Sequence, residues 1–494
     1  MNATDKHHRA ILQDIARRAM IERGLLPDFS APALAELGRL QAPTAGNGEP
    51  IRDLRKLLWA SIDNDDSRDL DQLTVGEAMP GDLAKILVAV ADVASVVENG
   101  LALDEHARHN TTSVYTAAEI FPMLPEKLST DLTSLNFNAD RLALVVEMVV
   151  GPDGSLQGSD IYRARVCSHA KLAYNSVAAW LEGNGPEPEA IAAVTGLDEN
   201  LRLQDRVAQR MKNLRHVHGA LSLETLEAKA VFAGDQIRDL DVEEKNRAKE
   251  IIEDFMIAAN GVTARYLSSR KFLSIRRVVR APKRWERIVE IAQEHGAKLP
   301  EVPDSKALEK FLVKEKAVDP LRFPDLSLAV IKLLGPGEYI AELPGATAPG
   351  HFGLAVKDYA HSTAPNRRYT DLITQRLLRA AIAGNPVPYT YDALGALALH
   401  CTEAEDAANK VERQVGKSAA ALLLEAKIGQ HFDAIVTGAS DKGTWARLLD
   451  IPVEGRVEQG FAGLDVGDRV RLQLMSVNVE RGYIDFKKVG TARY

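Results

Sequence analysis

The chain has 494 residues, 46% of them hydrophobic, two cysteines and a formal net charge of −8. That length supports two to four domains with full hydrophobic cores, and excludes a tail or linker. Cys167 and Cys401 are too few for a disulfide framework or a structural zinc site, and the acidic balance argues against a general polyanion binder.

The start, Met1 to His8, lacks an apolar leader, and no uninterrupted apolar run long enough to span a bilayer comes after it. The expectation is a soluble, cytoplasmic, monomeric protein with no membrane partner. Ala10–Met20 and Ala31–Leu40 read as short amphipathic helices, broken at Leu26-Pro-Asp-Phe-Ser30. They form either a helix-turn-helix unit or a packing appendage. Gln41–Pro50 is rich in Pro and Gly and reads as a linker, which divides a helical module (1–50) from the rest of the chain.

Ser61–Thr74 then packs five aspartates around Ile62, Leu70 and Leu73. Carboxylates this close repel one another more strongly as water is excluded, so they are either fully solvated or neutralised by a divalent cation. The cation is the favoured reading. Leu54–Ile62 has the pattern of a half-buried strand and Ile86–Ala91 that of a buried one, so the acids lie on a loop between strands. Extended backbone at Asp69-Leu70-Asp71 turns both acids to one side and Leu70 to the core, with Asp63 approaching across the loop. A calcium loop of the EF-hand type is excluded, because its sixth and twelfth positions hold Arg68 and Thr74 in place of Gly and Glu.

From 51 to 428 strand-like runs such as Ala143–Val150 alternate with helical patterns at Lys245–Ser269, Tyr369–Ala383 and Ala396–Ile428. This is one large mixed α/β domain. Within it, Arg265–Arg287 holds nine basic residues against one acid, with Tyr266, Phe272 and Trp285 interleaved. Such a segment is either a phosphate-contacting surface with stacking partners or a face whose charges pair with acids elsewhere. Arg202–His218 is equally open.

A second dense motif is Tyr359-Ala-His-Ser-Thr-Ala-Pro-Asn-Arg-Arg-Tyr-Thr-Asp-Leu372. It comes after a strand-like segment, His351–Val356, and Ala364-Pro365 forces an extended turn before a helix begins near Arg367. A guanidinium at such a junction, opposite a cation-loaded acidic loop, suits a phosphate, because its planar fork binds two oxygens at once. The alternative is a surface pairing of Arg367 with Asp371. Beyond 429, five short strand candidates separated by Gly and Asp turns fit a small OB-type barrel. In it, Trp445 beside Arg447 suits stacking on a base, although Trp445 and Phe461 could instead fill the barrel.

Taken in order, Ser61-Ile-Asp63 with Asp69 and Asp71, Ala91-Asp-Val93, Phe121-Pro-Met-Leu-Pro125 with Leu128-Ser129, Phe255–Asn260 and the Tyr359–Asp371 motif, ending in an S1-type barrel, resemble the RNB family of exoribonucleases. That family includes ribonuclease II and ribonuclease R. The fold implied is multidomain α+β: the helical module, an RNB catalytic domain (51–428) and an S1-type OB-fold barrel (429–494). The resemblance implies hydrolytic, processive, magnesium-dependent degradation of single-stranded RNA from a free 3′ end to nucleoside 5′-monophosphates, with one or two magnesium ions and manganese as a substitute.

Matching positions make Asp63, Asp69 and Asp71 the catalytic, metal-holding aspartates and Arg367 the phosphate-gripping arginine, with Arg368 beside it at the RNA. Tyr115 takes the place of the tyrosine that stacks on the last base, Tyr174 and Glu253 of the pair that senses the ribose 2′-hydroxyl, and Glu412 of an active-site glutamate. Gln72 stands where the family has a fourth aspartate, which removes a charge from the metal site. Asn366, Ala364 and Asn110 replace the usual isoleucine, serine and arginine. Two rival functions remain: a catalytically weakened, regulatory RNA binder, motivated by Gln72, and a nuclease preferring DNA, motivated by the N-terminal helices. The cold-shock barrels common before the catalytic domain are not expected in the first fifty residues.

Overall fold

A computed structural model describes residues 7–41, 50–225, 228–242 and 245–491. Most of the expected linker, 42–49, lies outside the described residues. Helices α1 (His8–Glu22) and α2 (Ala31–Arg39) come first. Ser30 caps α2 by accepting the Ala33 N–H at 3.3 Å, and Pro32 sits in its first turn. Each helix is anchored on the large domain. Leu12, Ile15, Ala16, Ala19 and Met20 of α1 share a cluster with Ala404, Ala408 and Val411, while Ala33 of α2 joins the main core. Their packing is that of an appendage.

Strands β1 (Arg52–Asp53), β2 (Ala60–Asp63), β3 (Gln72–Met79) and β4 (Leu83–Ala91) come next. The single strand expected at Leu54–Ile62 is therefore split. Trp59 is fully buried and its indole N–H donates to Leu54 O at 2.8 Å, which folds the chain into a turn there. Helix α3 (Ala102–Asn110), the short pair β5 (Val114–Tyr115) and β6 (Ile120–Phe121), β7 (Asp140–Val150), β8 (Leu156–Cys167) and β9 (Ala170–Ala173) complete the first half. Seven of these strands form one sheet in the order β1-β8-β7-β4-β3-β2-β9. β4 is central, and its run Ile86–Ala91 is buried on both faces, as that unbroken apolar sequence requires.

Helices α4 (Tyr174–Leu181), α5 (Glu189–Ala192), α6 (Leu197–Val217) and α7 (Arg247–Ser269) pack on this sheet, with the hairpin β10 (Ala228–Ala233) and β11 (Gln236–Val242) between the last two in sequence. Then come β12 (Ser274–Val278), a helical layer α8 (Trp285–Glu294), α9 (Ser305–Val318) and α10 (Phe323–Leu334), and β13 (Glu338–Glu342), which pairs with β12. The strand expected at His351–Val356 is instead a 3-10 turn at Phe352–Leu354, closed by the His351 ring accepting the Leu354 N–H. α11 (Tyr369–Ala383) and α12 (Tyr391–Glu425) lead to the closed barrel of β14 (His431–Ser440), β15 (Gly443–Leu448), β16 (Glu454–Gln459), β17 (Arg469–Asn478) and β18 (Tyr483–Thr491). Phe432, Val436, Leu448, Leu472 and Phe486 fill its interior.

Candidate active site

β2 and β3 pair at a single position, Ala60 opposite Thr74, so beyond Ser61 the two strands diverge and the acidic loop occupies the gap. β2 continues instead in parallel with β9, placing Asp63 opposite Ala173. Leu70, 2% exposed, anchors the loop: its N–H donates to Ser134 Oγ at 3.0 Å and its carbonyl accepts the Leu135 N–H at 2.9 Å. The Ala91 N–H fixes the Asp71 carbonyl at 2.9 Å, and the Lys171 ammonium donates to Ser67 O at 2.6 Å.

The second motif is pinned from three directions. Asp371, fully buried in the first turn of α11, accepts the Ala364 N–H at 2.8 Å and both arms of Arg368 at 2.9 and 2.8 Å. The Asn260 carboxamide oxygen on α7 accepts from the Ser362 N–H and hydroxyl, each at 2.9 Å. Thr111 ends α3 with φ +58°, a left-handed conformation that a β-branched residue rarely adopts, and its carbonyl takes the Tyr369 N–H at 2.7 Å. The Ser113 N–H donates to Arg367 O at 3.0 Å.

These constraints bring the two motifs together. Arg367 Nε lies 3.3 Å from Asp71 Oδ2. Asp71 Oδ1 accepts the Asn366 backbone N–H at 3.2 Å and its side-chain amide at 3.0 Å. The Tyr115 hydroxyl reaches Asp69 Oδ2 at 3.5 Å, the outer limit of a hydrogen bond, while its backbone N–H donates to Glu412 Oε1 at 2.8 Å. Tyr115, His361, Arg367, Arg368, Glu405 and Glu412 line a cavity of about 330 Å³.

Burial decides the electrostatics. It pushes the Asp71 carboxyl up to about 7 against the pull of Arg367, with Asp69 adding to the rise and the Asn366 donors opposing it. Asp69 is raised for the same reason, again against Arg367, with Asp63 reinforcing the shift. Burial also drives the Tyr115 phenol up to about 12. It holds His361 well below the ordinary histidine value, so the ring is neutral, with its Nδ1 2.9 Å from the Tyr339 hydroxyl.

The acids thus sit in a place that disfavours their charged forms. Among the described residues, no three His, Cys, Asp or Glu side chains are grouped to hold a metal ion by themselves. Magnesium keeps several waters and takes substrate phosphate as a ligand, so a partial set of carboxylates fits it. Asp71 Oδ2 fits in particular: it is buried, accepts no hydrogen bond from any described residue, and lies 3.3 Å from Arg367 Nε.

The remaining residues singled out by the sequence fall nearby, with some differences. Tyr174 directly follows Ala173, the residue opposite Asp63, and starts α4. The Lys249 ammonium on α7 lies 6.0 Å over its ring, one helical turn before the exposed Glu253. Gln72 is 8% exposed and opens β3, paired with Val90. Arg368 lines the cavity, but its guanidinium is committed to Asp371; the surface pairing considered for Arg367 belongs to Arg368. Trp445 lies outside the barrel's apolar filling, half-buried against Gly438 and Gly443, and Arg447 is tied to Asp325 of α10 at 3.3 Å. Asn366, Thr133 and Asn260 as site-building residues were missed. The only signal of Asn366 and Asn260 was an amide inside a recognised motif, and Thr133 lies outside every motif.

Several residues of the basic segments take the pairing alternative. Arg276, 1% exposed, lies 3.1 Å from Glu342; Arg277 is doubly bonded to Glu405 at 2.8 and 2.9 Å; Trp285 is buried and donates to Pro300 O. On α6, Arg210 pairs with Asp82, Lys212 with Glu250 and Arg215 with Asp254.

The RNB domain model matches residues 51–384, and the model of the RNase II-type exonuclease C-terminal S1 domain matches residues 430–489. Ribonuclease R of Vibrio cholerae is 30% identical over 482 residues, 89% of this chain and 57% of its own length. Exoribonuclease 2 of Escherichia coli O157:H7 is 30% identical over 411 residues, 81% of this chain and 61% of its own. The chain therefore spans under two thirds of either relative. Mycoplasma genitalium RNase R, solved with ribose-methylated single-stranded RNA, has the same fold, with a TM-score of 0.87 over 97% of this chain and 78% of that one at 21% identity. No described helix is long and apolar enough to cross a membrane.

Proposed function

Because the chain belongs to the RNB family, we propose that it is a hydrolytic, processive 3′-to-5′ exoribonuclease that degrades single-stranded RNA with a free 3′ end to nucleoside 5′-monophosphates. It works in the cytoplasm as a monomer. The observation that carries the reading is the buried Asp71 Oδ2, which accepts no hydrogen bond from any described residue and is held 3.3 Å from Arg367 Nε. An acceptor and a guanidinium so placed leave room for a cation on one side and a phosphate on the other.

Asp63, Asp69 and Asp71 would hold magnesium, with the Gln72 carboxamide as a neutral donor and manganese as a substitute. One or two ions bound there would acidify the attacking water and offset charge on the phosphate. Arg367 grips the scissile phosphate with its planar fork. Tyr115, fixed through its backbone by Glu412, stacks on the last base and so sets which phosphate lies over the acids. Tyr174 and Glu253 meet the ribose 2′-hydroxyl and select RNA over DNA. Arg368 holds the junction from which Arg367 reaches, and Trp445 stacks on the incoming strand.

The test is gel analysis of a 3′-hydroxyl RNA ladder with magnesium or manganese. The wild-type chain yields mononucleotides, and Asp71→Asn slows their release by about 10³-fold or more, the scale of a lost metal-assisted step. An intact ladder with wild type ends the reading. Gln72 motivates a second one, a weakened RNA binder of regulatory role. Binding without turnover, with cleavage recovered in Gln72→Asp, would establish it.

A further inference from the structure

Asn366 occupies a position where the family resemblance leads one to expect isoleucine, and it makes contacts no isoleucine can make. It is 1% exposed. Its backbone N–H and its Nδ2 both donate to the same oxygen, Asp71 Oδ1, at 3.2 and 3.0 Å. A carboxylate only accepts, so the NH2 end must face Asp71 and the amide oxygen must face away. On that far side the Thr133 hydroxyl shares its one proton between Asn366 Oδ1 at 2.7 Å and Leu128 O at 2.9 Å. Thr133 is 2% exposed and closes the π-helical turn Lys127–Leu132. Both hydrogen bonds that Asp71 receives from described residues end on Oδ1; Oδ2 receives none and has Arg367 Nε beside it at 3.3 Å.

We propose that Asn366, oriented by Thr133, is a positioning residue that pins Oδ1 of Asp71 and presents Oδ2 to the divalent cation. This rests on the reading of the acidic loop as a cation site and deepens it. A carboxylate is otherwise able to swing about its terminal torsion. Two donors on one oxygen remove that freedom during folding, so less ordering remains when the ion binds. The device matters more here because Gln72 has left the loop one charge poorer than the family pattern.

Magnesium chloride is titrated calorimetrically into the full-length chain without RNA, for wild type, Asn366→Leu, Thr133→Val and Thr133→Ser, with thermal melts as a folding control. Asn366→Leu weakens magnesium binding by about 10-fold or more, the scale of a lost supporting hydrogen bond at a metal ligand. Thr133→Val weakens it less, and Thr133→Ser restores it. On RNA, Asn366→Leu lowers kcat and leaves KM within about twofold. Wild-type magnesium affinity in a folded Asn366→Leu overturns the proposal. Should that variant not fold, equal affinities in the two Thr133 variants overturn it instead. Weakened binding in the variants alongside wild type that spares RNA removes the nuclease reading and leaves the role of Asn366 standing. Wild type that binds no magnesium without RNA yet cleaves RNA with it overturns the role of Asn366 alone, and wild type that does neither removes both.

Discussion

Two charge-dense stretches, the acidic loop at 61–74 and the basic segment at 265–287, look alike as candidate sites in one dimension and behave oppositely in three. The guanidinium of Arg276 is buried beside Glu342 and Asp358, and Arg277 is clamped on Glu405 and lies over the Tyr339 ring. Its charge is answered inside the molecule. In the acidic loop, Asp71 is as deeply buried, yet one carboxylate oxygen has no hydrogen bond and the nearest cation, Arg367, is itself part exposed to the cavity. Density of charge therefore does not mark a site; a buried acid whose cationic neighbour opens onto a cavity does.

The contrast is most exposed to refutation at Arg276. Arg276→Met strands Glu342 in the interior, and urea unfolding shows a loss of about 3–5 kcal/mol. RNA affinity, measured by filter binding on the folded fraction, is unchanged. A stable variant that loses RNA binding would put this segment on the phosphate path and reverse the argument.

Asp71→Asn probes the same contrast from the other side. Its folded carboxyl titrates near 7 against an ordinary 3.8, so between these values the folded state holds the proton more tightly than the unfolded one. Stability then falls as pH rises through that window and stays low above it. Asn carries no such penalty. In chelator, Asp71→Asn is more stable than wild type by on the order of 1–3 kcal/mol at pH 8, and the gap closes toward pH 4. Thermal melts across pH check this, and added magnesium narrows the gap by stabilising wild type alone. A gap independent of pH would mean that charge is not what burdens the loop.

The mildest change belongs to Arg280, about half exposed and paired with Glu338. Arg280→Ala changes stability by under about 0.5 kcal/mol and leaves the salt dependence of RNA binding as it was. A shallower salt slope would identify a phosphate contact.

Much of the site was legible because its signals are local. Alternation about Leu70 placed Asp69 and Asp71 together, Pro365 set the turn before α11, and the five strand runs after 429 gave the barrel. What was not legible depends on partners distant in sequence. Nothing near Arg276 announces Glu342, and nothing near Asn366 announces Thr133, 233 residues away. The strand expected through Leu54–Ile62 failed for a related reason, since the buried Trp59 indole finds its acceptor by bending the chain back to Leu54. At His351–Val356 apolar spacing suggested a strand where a histidine ring caps a turn.

α12 limits where the chain can be cut. At 35 residues it is about 52 Å long. Leu394, Ala398 and Cys401 belong to the main core, Ala404, Ala408 and Val411 to the cluster with α1, and Ala420, Ala421 and Leu424 to the barrel's own interior. One rod thus runs through three hydrophobic interiors. A truncation at the sequence boundary near 429 would strip Ala420, Ala421 and Leu424 of their cover and leave an apolar stripe in water, while Val415, Ala419 and Leu422 would keep the cluster with α1.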